Sequence, residues 1–87
     1  MAQSYLIWDD ATASEGIHHY RVYQDDKLVS NPYISNYTVD NLEFGIEYSF
    51  YIVAVTNDDR VSKKSETVSI TLVEGQNNFN YNFNFYI

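Results

Sequence analysis

The chain has 87 residues, 12 of them acidic and 5 basic, a formal net charge of −7, 45% hydrophobic residues and no cysteine. That length allows one domain with a thin core, and the lack of cysteine excludes disulfides and thiolate metal sites. The negative charge repels phosphate backbones and anionic lipid, so neither nucleic acid nor a membrane surface is an expected partner.

Nine Tyr and five Phe beside three Gly and one Pro favour strands over helices. Period-2 patterning is strong and helical periodicity weak. Met1, Ala2, Gln3 and Ser4 lack a basic stretch leading into an apolar one, so the chain as given is expected to carry no export signal. No apolar run approaches the roughly 20 residues that span a bilayer.

The first apolar run is Tyr5, Leu6, Ile7 and Trp8, followed by a polar loop over residues 9–16. In the next run His18, Tyr20 and Val22 share one face. Asp25 and Asp26 signal a turn, and Lys27, Leu28 and Val29 read as a short returning strand that Asn31 and Pro32 break. Tyr37, Val39 and Leu42 continue an inward face. Tyr48, Phe50, Ile52 and Ala54 then alternate with Ser49, Tyr51, Val53 and Val55, the strongest strand pattern in the chain. Residues 57–60 form a loop, and Val68, Ile70 and Leu72 alternate with Thr67, Ser69 and Thr71. Short strands with a turn every 8–12 residues or so predict an all-β sandwich or barrel.

In this order the pieces resemble a fibronectin type III domain, in particular the bacterial kind found beside secreted glycan-degrading enzymes, from about Tyr5 to Leu72. Trp8 and Asp9 resemble that family's core Trp on strand B. Gly16 and Ile17, followed by Tyr20, Arg21, Val22 and Tyr23, resemble its strand C. Leu42, Gly45 and Tyr48 resemble the corner into strand F, which Phe50, Ile52, Ala54 and Val55 continue. Ser62 and Ser65 resemble the Ser-containing loop before strand G. The resemblance implies a Greek-key β-sandwich of the fibronectin type III or immunoglobulin-like kind, with Trp8, Tyr20, Val22, Leu42, Tyr48, Phe50, Ile52 and Ala54 in the core. It also implies a tyrosine corner in which the Tyr48 hydroxyl returns to the backbone.

The sequence departs from this family at both ends. Seven residues before Trp8 leave little room for strand A, so strand B is expected to expose an unpaired edge. Residues 1–75 read as the sandwich and residues 76–87 as an extension, in which Phe79, Tyr81, Phe83 and Phe85 alternate with Asn80, Asn82 and Asn84. Residues 75–78 suit a turn that would make a hairpin with strand G in cis. The alternatives are strand addition to a neighbouring subunit or another protein, and a frayed tail. A strand returning after G would run parallel to B, whereas the family's strand A is antiparallel. Filling that slot in the family orientation therefore calls for a long loop or a second molecule, and the topology argues against the tail filling the gap within its own chain.

No catalytic motif stands out, and no cofactor or metal is expected. His18 and His19 are adjacent, so on a regular strand they point to opposite faces and cannot share a metal without distortion. The fibronectin-like resemblance implies that the loop holding Asp9, Asp10 and Glu15 and the loop holding Asp58 and Asp59 emerge at the same end, where hard oxygen ligands from two loops could hold Ca²⁺; nothing matches a defined calcium loop, and solvated turn acids are the simpler reading. They do not resemble a glycosidase pair, which needs a cleft. Tyr5, Tyr23, Tyr33, Tyr37 and Tyr51 are candidates for a binding face, or for sheet packing.

The expected function is a non-catalytic structural or assembly module of a larger particle, such as a decoration or fibre component of a phage virion. Its partner would be a second copy or a neighbouring structural protein, engaged through Phe79, Tyr81, Phe83, Phe85 and Tyr86. A virion or extracellular assembly is the expected setting, with an oligomer as one outcome. The alternative is an accessory or spacer domain of a secreted glycan-degrading or adhesion protein.

Overall fold

The computed structural model describes residues 2–74 and 79–83, all in strands, turns and loops. Among the described residues seven strands form two sheets: β1 (Ala2–Trp8), β2 (Ile17–Gln24), β3 (Lys27–Ser30), β4 (Asn36–Leu42), β5 (Glu47–Thr56), β6 (Val68–Thr71) and β7 (Phe79–Phe83). One sheet has the order β4-β1-β7 and the other β3-β2-β5-β6. Every strand pairing is antiparallel except that of β1 with β7, which is parallel.

The core lies between the sheets. Leu6 and Trp8 of β1 and Val39 and Leu42 of β4 contribute from one side. Tyr20 and Val22 of β2, Phe50, Ile52 and Ala54 of β5, Ile70 of β6, and Leu72 contribute from the other. The Trp8 ring meets the Tyr20 ring edge-on, centroids 5.4 Å apart, a geometry that brings the positive edge of one ring to the negative face of the other. Tyr48 is half-buried against this cluster, and its hydroxyl accepts a 2.9 Å hydrogen bond from the Glu43 amide.

The β2–β3 hairpin turns on Asp25 (φ 51°) and Asp26 (φ 66°), the two left-handed residues that a tight hairpin of matching twist requires. Asp25 is also a clamp. Its carboxylate accepts from the Ser49 amide at 2.9 Å, while its own amide donates to the Ser49 carbonyl at 2.8 Å. In β4, Asn41 (φ 61°) lies where three residues advance against two of β1, which makes a bulge near the strand's end.

β6 pairs only with the first part of β5, from Glu47 to Phe50. Beyond it two serines cover the β5 edge. Ser65 donates its amide to the Ile52 carbonyl (2.8 Å), and its hydroxyl accepts from the Ile52 amide (2.9 Å). Ser62 repeats the arrangement on Ala54, with both distances 2.9 Å. Each serine thus supplies the donor and the acceptor that a paired strand residue would supply, so an irregular segment satisfies the edge.

The last strand departs from the expected hairpin with β6. It lies beside β1 in the same chain, with Phe79 opposite Ser4, Tyr81 opposite Leu6 and Phe83 opposite Trp8. The topology counted against the tail filling this margin within its own chain, and the structure corrects that expectation: the tail does fill it, running parallel to β1 rather than in the family's antiparallel direction. Nothing in a sheet edge restricts it to an antiparallel newcomer, since parallel ladders are only slightly weaker per residue. The turn read over residues 75–78, and Phe85 and Tyr86, lie outside the described residues.

Candidate functional site

Two regions hold most of the candidate site residues: the β1–β7 edge and the end of the sandwich where the β1–β2, β3–β4 and β5–β6 loops meet. At the first, β7 runs from Phe79 to Phe83 along the margin that β1 would otherwise leave open. The register puts Phe79, Tyr81 and Phe83 opposite the three buried β1 residues Ser4, Leu6 and Trp8, and Asn80 and Asn82 opposite the more exposed Tyr5 and Ile7.

At the loop end, Glu15 of one acidic loop and Asp58 of the other share the Arg60 guanidinium, and Asn57 is the fastener between the loops. Its amide donates to the Gly16 carbonyl at 3.1 Å and its side chain to the Glu15 carbonyl at 2.8 Å. Gly16 is required here twice over. Its φ is +81°, and a Cβ at this position would sit 2.6 Å from the Asn57 side-chain nitrogen. Arg60 then pairs with Glu15 across the loops and with Asp58 within its own, 3.1 Å from Asp58 Oδ2. Asp58 also accepts from the Thr56 hydroxyl, which in turn accepts from the Arg60 amide at 3.0 Å. A guanidinium therefore lies between the Glu15 and Asp58 carboxylates of the two loops. Among the described residues no three His, Asp or Glu side chains are grouped to hold a metal ion. Arg60 was not singled out from the sequence, because a lone Arg in a polar loop carries no pattern.

His18 and His19 do not point to opposite faces. Between Ile17 and His19 the β2 register advances two residues while β5 advances one, from Thr56 to Val55. This bulge re-aims the side chains. The two Nδ1 atoms lie 2.9 Å apart and the rings meet edge-on at 5.1 Å. Tyr33, exposed on the β3–β4 loop, packs edge-on against both, at 5.8 Å from His18 and 6.4 Å from His19. Partial burial lowers the His19 pKa below its ordinary value; His18 and Arg21 lower it further, and Asp59 opposes them.

Beside this group is an open cavity of about 350 Å³, lined by Asp10, Ala11, Gly16, Ile17, Tyr20 and Tyr33. The Tyr20 hydroxyl accepts from the Ala11 amide at 3.0 Å. Burial raises its pKa, with the Ala11 hydrogen bond acting the other way and the Asp10 charge adding to the rise.

The candidate tyrosines do not assemble into one face. Tyr33 belongs to the loop end, and Tyr37 packs on the core. Tyr5 lies on the face of β1 opposite Leu6. Tyr23 and Tyr51 stack on the outer face of the larger sheet, centroids 4.7 Å apart, with the Lys64 ammonium 5.0 Å from the Tyr51 ring centre.

No protein-family model matches the sequence, and no curated protein does. Among solved structures, the chain is similar to the Yersinia enterocolitica Family 28 exopolygalacturonase. The TM-score is 0.68 at 19% identity, over 80% of this chain and 18% of that one. At this identity the likeness is one of fold, and the chain spans less than a fifth of that enzyme.

Proposed function

We propose that this chain is a non-catalytic structural module, a fibronectin type III-like Greek-key sandwich that joins a larger assembly by exchanging its last strand. Reading β1 as strand B and β4 as E, with β2, β5 and β6 as C, F and G, gives the two-sheet partition of immunoglobulin-like sandwiches, with β3 in the place of C′. The Tyr48 hydroxyl bound to the amide five residues upstream fits the tyrosine corner of that fold. β7 then occupies the place of strand A, in the opposite direction.

The observation that carries the assembly reading is this β7 position. A five-residue parallel strand at a sheet margin is held by main-chain pairing that an identical segment of another copy reproduces equally well. The polar groups at the loop end are meanwhile engaged in holding loops together, as Arg60, Asp58, Thr56 and Asn57 are. The partner is a second copy or a neighbouring structural protein of the same particle, with a virion or extracellular assembly as its setting.

Light scattering on the full chain and on a chain ending at Gly75 tests this. The expected result is concentration-dependent association of the full chain, a monomeric truncation, and binding of a synthetic peptide of residues 76–87 to the truncation. Folded monomers in both cases, with no peptide binding, would refute strand exchange. They would favour a second reading, an accessory or spacer domain of a secreted glycan-degrading or adhesion protein. That reading draws on the exopolygalacturonase, in which a stretch of this fold makes up 18% of a much longer enzyme.

A further inference from the structure

The geometry points to a two-histidine site for Cu²⁺ or Ni²⁺ at the loop end, in which His18 Nδ1 and His19 Nδ1 occupy adjacent positions of a square-planar or tetragonal metal. The separation of the two nitrogens decides the metal class. A metal about 2.0–2.1 Å from each nitrogen would see a 2.9 Å gap under an angle of roughly 90°. A tetrahedral metal at the same bond length needs the nitrogens about 3.3 Å apart. Right-angled nitrogen pairs suit Cu²⁺ and Ni²⁺ rather than tetrahedral Zn²⁺.

The fold prepares this pair. The β2 bulge places consecutive imidazoles on one side of the strand, where regular pleating would separate them. Tyr33 packs on both rings and limits their rotation. His18 is exposed, so a metal has a route in from solvent. A 2.9 Å contact between two Nδ1 atoms requires one to donate a proton and the other to accept it. Moving that proton to Nε2 of the same ring leaves both Nδ1 lone pairs free, with both imidazoles neutral and no proton lost. Solvent or a partner's donor completes the coordination.

The test is titration of the full chain with CuCl₂, followed by calorimetry and electron paramagnetic resonance, beside His18→Ala and His19→Ala. The expected result is one Cu²⁺ per chain with superhyperfine coupling to two nitrogens. Loss of even an outer partner of a metal commonly weakens binding about 10–100-fold. Either substitution should therefore cost tenfold or more and remove one nitrogen coupling. Unchanged affinity and spectrum in the variants would place the metal elsewhere, for example on the N-terminal amine, and overturn the assignment. So would binding no tighter than that of free imidazole. Circular dichroism checks the fold of each variant; His18→Ala, at an exposed position, decides the matter if His19→Ala unfolds.

Discussion

Replacing Ser65 by alanine isolates one hydroxyl that holds an irregular segment on the β5 edge. Along an antiparallel strand, a residue's amide and carbonyl point to the same side. The Ile52 carbonyl accepts from the Ser65 amide, so the Ile52 amide faces Ser65 too, and its 2.9 Å partner there is the Ser65 hydroxyl. Ser65 is 5% exposed and Ile52 fully buried, which leaves water little access. A buried donor stripped of its partner costs about 1–3 kcal/mol. In a domain of this size 1 kcal/mol moves Tm by roughly 4–8 °C, so Ser65→Ala should lower Tm on the order of 10 °C. Ser69→Ala, on the exposed side of β6, is the control and should fall within about 0.5 kcal/mol of the parent. Calorimetric melting gives the stability, and amide hydrogen exchange gives the location: Ile52 should lose protection while Val53, on the β2 side, keeps it. Unchanged melting together with unchanged Ile52 protection would refute the view that the hydroxyl substitutes for a strand partner.

Other substitutions test neighbouring parts of the fold. Asp26→Gly should raise stability by about 0.5–1 kcal/mol in urea unfolding, because Asp26 holds a left-handed φ of 66° that glycine adopts without a steric cost. Asp25→Gly should not gain in the same way, since it also removes the carboxylate that binds the Ser49 amide. Tyr48→Phe should cost roughly 1 kcal/mol in the same assay through loss of the bond from Glu43. Tyr20 should ionise later than an ordinary tyrosine in a spectrophotometric titration. Its folded pKa lies above the ordinary tyrosine value of about 10, so its contribution to stability is intact below that pH and is lost as pH rises through the raised folded value. Tyr20→Phe should flatten this alkaline decline.

The features readable in advance are local ones. The β5 pattern of Phe50, Ile52 and Ala54 against Tyr51, Val53 and Val55 is a property of consecutive residues, and these three inner residues are fully buried. The Asp25–Asp26 turn also followed from a short-range signal, whereas the placing of the two acidic loops at one end came from the family resemblance and not from any local pattern. The unread features depend on register. Whether His18 and His19 diverge or converge is decided by one extra residue in β2 against β5, and no residue type announces that insertion. Ser62 and Ser65 read as loop because their segment lacks alternation. Their role exists only where β6 stops short and leaves Ile52 and Ala54 to be paired. The β7 pairing is non-local as well: its aromatic alternation marks a strand with one buried face, but a margin on β6 and a margin on β1 are equally open to it on sequence grounds.

The margins of the two sheets bear on which strand could leave its place. β3 and β6 are four residues long, and β4 carries the Asn41 bulge near its end, which are common ways of keeping an edge from recruiting other chains. Each of these strands is also tied by a neighbouring connection: β3 by the two-residue hairpin to β2, β6 by the Ser62 and Ser65 bonds immediately before it, and β4 through the Tyr48 hydroxyl at Glu43 immediately after it. β7 makes the one parallel pairing among the described strands, over five residues, and parallel pairs are slightly weaker per residue. Exchange of β7 between copies replaces each lost main-chain bond with an identical one, so the net cost reduces mainly to the entropy of bringing two chains together. That cost falls with concentration, whereas the cost of detaching β3, β4 or β6 does not, because their partners are fixed by short connections in the same chain. Association through β7 should therefore be steeply dependent on protein concentration and abolished by excess peptide of residues 76–87. Association that survives the peptide would point to another surface.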